Sequence, residues 1–199
     1  MSRAILEGSE EISLFDSDIF KKIDFSNYSN KFDPPISVAD PGPGLKIRAL
    51  QSGDDERGFL SLLKQLTTVG DISREKFVDA FESMRSKNGT YYVIVIEDTT
   101  KEEIIGCATL LIEQKFIRNC AKKGCVEDVV VNSSYRGKQL GKLIVITLNL
   151  LAKELGCYKV SLNCTDKMVK FYEGVGYTKE EGNGNFLVIR LIRIHSLFS

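Results

Sequence analysis

At 199 residues the chain fits one domain with a core of ordinary size, with room for a tail. Its 27 Lys and Arg residues balance 27 Asp and Glu, so no global basic field exists to hold nucleic acid or an anionic membrane, and any anion site must be local. Five cysteines without a CxxC pair and a single histidine, His195, make a poor donor set for zinc; no metal is expected, and the thiols read as reduced, small apolar groups.

The opening stretch MSRAILEGSEEISLF breaks its apolar residues with acids and lacks a signal-peptide core. No apolar run approaches the roughly eighteen residues of a membrane span, so a cytoplasmic protein is expected. Leu14, Phe15, Ile19, Phe20 and Ile23 carry a weak helical pattern expected to pack on the domain surface. All four prolines fall in DPPISVADPGPG, an extended stretch. Residues 1–44 therefore read as an arm and linker ahead of a domain spanning 45–199.

From Leu45 the pattern is regular. LKIRAL alternates apolar and basic residues as a half-buried strand does, and residues 54–66 and 73–86 read as helices, the second capped by Asp71 or Ser73. YYVIVIED is a β-branched strand, TTKEE a turn, IIGCATLLIE a second strand and CVEDVVV a third. The helix from about Gln139 to Leu155 is apolar on nearly every side and must be buried. YKVSLNC, the short helix DKMVKFYEGVG ending on Gly174 or Gly176, and a last strand NFLVIRLIRI complete an α/β domain with one mixed sheet.

The densest signal lies where the buried helix begins. Arg136, Lys138 and Lys142 stand around Gly137 and Gly141. A Walker-type loop needs four residues between its glycines and a hydroxyl residue after the lysine; here three intervene and Leu143 follows Lys142. A dinucleotide fingerprint fails as well. What survives is physical. Glycines let successive N–H groups turn toward one point, the helix start adds partial positive charge, and Arg136 and Lys138 add full charges. The combination suits a pyrophosphate without a metal, although a plain basic helix start after an ordinary turn has the same composition.

The neighbouring residues decide between these. VEDVVVNSSYRGKQLGKL resembles the acetyl-CoA signature of the GNAT N-acetyltransferases, roughly Arg/Gln-x-x-Gly-x-Gly/Ala, occupied by Arg136, Gly137, Lys138, Gln139, Leu140 and Gly141. FYEGVGY resembles that family's second landmark, a helix carrying Phe-Tyr before a Gly-Tyr pair. The resemblance implies a mostly antiparallel mixed sheet flanked by helices, with two central strands, VEDVVV and YKVSLNC, splayed apart. LTTVG, LLIEQKFIRNC and LGCYKVSLNC extend the likeness over roughly residues 31–190, to the branch that acetylates the amine of glucosamine 6-phosphate from acetyl-CoA.

Acetyl transfer from a thioester needs the cofactor held, the amine deprotonated, the oxyanion stabilised and the leaving thiolate protonated. By the resemblance, acetyl-CoA is held by Asp128, Val129, Val130 and Val131, by the loop from Arg136 to Gly141, and by Asn163 and Tyr172. The same likeness assigns Lys115, Phe116, Ile117, Arg118, Tyr158 and Lys159 to the sugar phosphate region, Thr67 to the sugar, Glu127 and Asp128 to the sugar and its amine, and Arg190 to a sugar site. Tyr172 is the expected proton donor, since a phenol near pKa ~10 can donate to a thiolate whose acid lies near ~8.5. Asn163 stands where several relatives carry an acid and cannot accept a proton. Water or Glu127 is left to take the amine proton, with Asn163 polarising or orienting.

Read without the likeness, Glu127 and Asp128 are adjacent acids in an apolar strand, an unusual place for two charges unless they are salt-bridged. Strand neighbours face opposite ways, so one of the two at most is expected to face a given ligand. Lys115 and Arg118 suit a phosphate but equally a solvated surface. The last strand follows the glycine-rich hinge EGNGN and must pair somewhere. The resemblance implies a homodimer in which it crosses over and brings Arg190 to the partner's sugar site; pairing within its own chain is the alternative. Two other functions compete: acetylation of protein lysine or a polyamine, which the positive charge of KFIR and CYK opposes, and non-catalytic coenzyme A binding, which Tyr172 and the acid pair oppose.

Overall fold

Leu45–Ala49 (β1), Tyr91–Asp98 (β2), Glu103–Gln114 (β3), Lys122–Val131 (β4) and Cys157–Leu162 (β5) form a single sheet whose strand order follows the chain. The computed structural model describes residues 11–182 and 187–189. Four helices accompany the sheet: Phe59–Leu63 (α1), Arg74–Ser86 (α2), Leu140–Glu154 (α3) and Val169–Glu173 (α4). β1 to β4 run antiparallel, with α1 and α2 inserted between β1 and β2 and short connections thereafter, whereas α3 carries the chain back so that β5 lies parallel to β4. The expected class, a mostly antiparallel mixed sheet flanked by helices, is what the chain forms.

The sheet is covered on both faces, which explains why its middle strands lack a polar side. Tyr92, Ile94 and Ile96 of β2 pack with α3, while Val93 and Val95 pack with Phe59, Leu62, Phe77, Val78 and Phe81 of α1 and α2. Ten of the fifteen residues of α3 are buried, as its all-round apolar composition requires. α2 begins with Ser73, whose hydroxyl accepts from the Lys76 N–H.

Several boundaries differ from expectation. The helix expected over 54–66 shrinks to Phe59–Leu63 because Asp54, at its start, is taken by β1. Both Asp54 carboxylate oxygens accept from the buried Arg48 guanidinium at 2.8 Å, and Oδ2 also accepts from the Gln51 N–H at 2.7 Å. The chain stays in turns until Gly58, at φ +84°, starts the helix. β4 begins at Lys122 rather than Cys125. Of the cysteines read as packed apolar groups, Cys107 is buried while Cys120 and Cys164 are exposed.

The arm forms two 3-10 turns, Ser17–Lys22 and Ser26–Lys31, in place of an α-helical pattern. Asp16 accepts from the Asp18 N–H and tightens the first. Phe15, Ile19, Phe20, Ile23, Phe25 and Tyr28 then dock against the α3 side of the core, where Phe32 is 3% exposed. Leu14 N–H donates to the Leu50 carbonyl at 2.9 Å, and Ser13 bridges Gln51, tying the arm to the end of β1. Of the expected last strand, residues 187–189 are not in a strand and the remainder lies outside the described residues.

Candidate active site

β4 and β5 run in register only as far as Cys125↔Ser161 and Val126↔Leu162. The next pair would be Glu127 and Asn163, and there the ladder stops. Beyond it, Val130 and Val131 pair with Cys107 and Gly106 of β3, leaving the β5-facing edge of β4 without a partner strand among the described residues. Such an edge presents free N–H and C=O groups to an extended ligand. The expected splay is therefore present, and its apex is level with Glu127 and Asn163, both exposed.

A bulge shapes the acid pair. The register of β3 against β4 shifts between Cys107 and Thr109, and Asp128 adopts φ +53°. One extra residue on β4 interrupts the strand alternation there, and Glu127 and Asp128 are both exposed. The Cys125 thiol donates to Glu127 Oε1 at 3.1 Å. Desolvation, and then the Glu127 charge, push the Asp128 carboxyl above the ordinary carboxylate range.

The anion loop follows directly. Asn132 Oδ1 accepts from the Ser134 N–H and starts the 3-10 turn Ser133–Tyr135. The chain then passes Gly137 at φ +82° and Gln139 at φ +60° before α3 begins without a side-chain cap. Among the described residues nothing accepts from the N–H groups of Leu140, Gly141 and Lys142, which are turned outward at the positive end of a fifteen-residue helix. Arg136 and Lys138 are exposed beside them. Lys142 is not: its ammonium donates to the Lys31 carbonyl of the arm. Gly141 lies close to α4, since a Cβ there would meet Phe171 Cζ at 3.7 Å.

α4 brings Tyr172 to the same region. Its ring meets Phe171 and Tyr177 edge-on at 5.0 and 5.8 Å. Burial, followed by the nearby Cys164 thiol, raises its phenol above the usual tyrosine value. No described group hydrogen-bonds its hydroxyl. The splay, the outward N–H groups and Tyr172 thus converge, and they provide for an extended thioester, an anion and a proton donor.

The other predicted residues stand apart. Lys115 pairs with Glu113, which Lys123 also approaches at 3.7 Å. Phe116 and Ile117 are 96% and 64% exposed, and Arg118 to Cys120 form a left-handed turn in the β3–β4 connection. The Arg118 guanidinium lies 5.2 Å from the Tyr158 ring centre, and Lys159 pairs with Glu180 at 3.6 Å. Lys122 pairs with Cys157 at this end of the sheet, and at about 3.3 Å per strand residue Glu127 is roughly 16 Å away. One chain does not bring these residues to the splay. Thr67 is exposed in the turn after α1, which is linked to the anion loop where the Ser133 N–H donates to Gln65 Oε1 at 3.0 Å. Arg190 lies outside the described residues. Sequence reasoning missed the contacts of Lys142, Gln65 and Cys125, which depend on chain geometry and have no local signature.

Among the described residues no group of three or more His, Cys, Asp or Glu side chains is arranged to hold a metal ion, and no helix is long and apolar enough to cross a membrane. The family model for the acetyltransferase (GNAT) family matches residues 59–177. The chain belongs to that family. It is 55% identical over 183 residues to a probable glucosamine 6-phosphate N-acetyltransferase of Drosophila melanogaster, covering 92% of this chain and 83% of that one. The crystal structure of glucosamine-6-phosphate N-acetyltransferase from Arabidopsis thaliana superposes with a TM-score of 0.68 at 42% identity, over 72% of this chain and 97% of that one. A Trypanosoma brucei acetyltransferase structure gives 0.65 at 33% identity, over 72% and 99%.

Proposed function

We propose that this GNAT acetyltransferase transfers the acetyl group of acetyl-CoA to the amine of glucosamine 6-phosphate, releasing N-acetylglucosamine 6-phosphate and coenzyme A, a cytoplasmic step toward UDP-N-acetylglucosamine. The observation that carries the reading is the open β4 edge, framed by the uncapped start of α3 and by Tyr172, in a chain 55% identical to a protein named for that reaction. Backbone groups of Val129, Val130 and Val131 pair with the pantetheine arm, and the N–H groups of the loop from Arg136 to Gly141 take the pyrophosphate with the charges of Arg136 and Lys138. The amine attacks the thioester carbonyl, a C–N bond forms and the C–S bond breaks. Glu127, or water beside it, takes the amine proton; Asn163 orients or polarises; Tyr172 gives a proton to the departing thiolate.

The sugar phosphate is read by Lys115, Phe116, Ile117, Arg118, Tyr158 and Lys159, with Thr67 and Asp128 on the sugar. Because the first six lie at the far end of β4 and β5, about 13 to 16 Å from the splay at 3.3 Å per strand residue, they serve the acetyl site of a second copy. A homodimer with an exchanged C-terminal strand, placing Arg190 in the partner's site, satisfies this. Leu187, Val188 and Ile189, which are 90%, 60% and 81% exposed, support it as apolar residues in need of a cover.

The test is acetyl-CoA turnover against amino sugars with and without the 6-phosphate. Glucosamine 6-phosphate should exceed glucosamine in kcat/KM by roughly ten- to a hundredfold per phosphate contact. Equal values would remove the phosphate from the reading, and absence of turnover with any amine would leave a binding module.

A further inference from the structure

Two side chains in the first turn of α3 point away from the anion loop and grip the N-terminal arm. Gln139 Nε2 donates to the Asp33 carbonyl at 2.8 Å, and the Lys142 ammonium donates to the Lys31 carbonyl. The residue between those two carbonyls, Phe32, lies under Lys142, whose nitrogen is 4.9 Å from the ring centre. Phe32 is anchored in turn: it is 3% exposed, stacks on Phe25 at 5.9 Å and belongs to the core built on α3. Residues 139 and 142 are one helical turn apart, so both reach the same stretch of arm.

Gln139 is the position where such a grip has an effect. It is a non-glycine residue at φ +60°, a conformation that residues with a Cβ rarely adopt unless their surroundings impose it. It has no capping hydrogen bond of its own, and its backbone sets the direction of the Leu140, Gly141 and Lys142 N–H groups. We infer that residues 31–33 of the arm, held by Gln139 and Lys142, keep this turn in the shape that receives the coenzyme A pyrophosphate. Lys142 is on this account a positioning residue for acetyl-CoA, acting through the arm, and is not a phosphate ligand. The inference rests on the acetyl-CoA reading of the loop. A loop that must be ordered during binding loses affinity, while the bound complex, once formed, reacts as before.

The experiment is a double-mutant cycle on the full chain, with Lys142→Ala, Phe32→Leu and the pair, Phe32→Leu retaining an apolar side chain so that the fold is kept. Thermal melting shows that each variant is folded; acetyl-CoA Kd by calorimetry and kcat and KM for both substrates are measured at low and high salt. Each single change is expected to raise the acetyl-CoA Kd and KM roughly tenfold, in line with one lost hydrogen bond to a charged group, with kcat and the sugar KM unchanged. The pair should be little worse than the worse single, because both changes break one contact. Additive effects overturn the inference. So does a Lys142→Ala defect that disappears at high salt while Phe32→Leu binds normally, the signature of a direct charge on phosphate. Wild-type protein that binds no acetyl-CoA removes the reading of the loop itself, and the inference with it.

Discussion

Tyr172 shows what one buried hydroxyl can do in this fold. Its ring is fixed by Phe171 and Tyr177, it is 9% exposed, and burial followed by Cys164 pushes its phenol upward, so it remains protonated through neutral and mildly basic pH. A group that keeps its proton and has no hydrogen-bond partner among the described residues is suited to a charge that appears only late in the reaction. Tyr172→Phe preserves the ring packing and removes the hydroxyl alone. kcat is expected to fall roughly ten- to a hundredfold with little change in the KM for acetyl-CoA, because the hydroxyl matters most as sulfur becomes anionic. Steady-state kinetics decides it, and an unchanged kcat would return Tyr172 to the core. At the same scale, the acid pair was visible in the sequence as two charges among valines. Its orientation was not, because the bulge at Asp128 is defined by the register of β3 and no residue of β4 announces it.

At the scale of elements, what could be read was whatever is specified locally. Ser73 caps α2, the β-branched run makes β2, and an all-round apolar composition buries α3; these signals lie within the segments themselves. α1 escaped because its would-be first residue, Asp54, is claimed by Arg48 of β1, with Glu97 of β2 as the second carboxylate at 2.6 Å. The arm escaped for a similar reason, since its aromatic residues bind the core individually and follow no helical period. The Arg48–Asp54 pair gives this a measurable consequence. Arg48 is 5% and Asp54 0% exposed, and removing one partner of a buried ion pair typically costs about 3–5 kcal/mol. Asp54→Asn should lower the unfolding free energy by an amount in that range, read from a lower urea midpoint at an unchanged m-value, while the folded variant binds acetyl-CoA as the wild type does. A loss under about 1 kcal/mol would mean that Glu97 alone satisfies the guanidinium.

At the scale of the molecule, a single chain has an open edge and a divided site. Among the described residues β5 is the last strand of the sheet and pairs only with β4. Phe116 and Ile117 on one connection and Leu187, Val188 and Ile189 near the C-terminus are largely exposed. The basic residues assigned to the phosphate lie at the far end of β4 and β5, about 13 to 16 Å along the strands from Glu127 at 3.3 Å per residue. In the proposed homodimer a second copy would answer all three, its C-terminal segment covering the open edge and its Arg190 joining the opposite acetyl site. Arg190→Ala and Glu127→Ala should each be inactive alone, since each removes one contribution from every site. Mixed in equal amounts with free exchange, about half of the dimers are hybrids, and each hybrid pairs an intact Glu127 with the partner's intact Arg190 in one of its two sites. Activity should therefore recover to about a quarter of the wild-type value as subunits exchange. Hybrids demonstrated by mass but without recovered turnover would place Arg190 in its own subunit's site or in none, and would leave the basic cluster at the far end of β4 without the acetyl site that its distance from Glu127 requires.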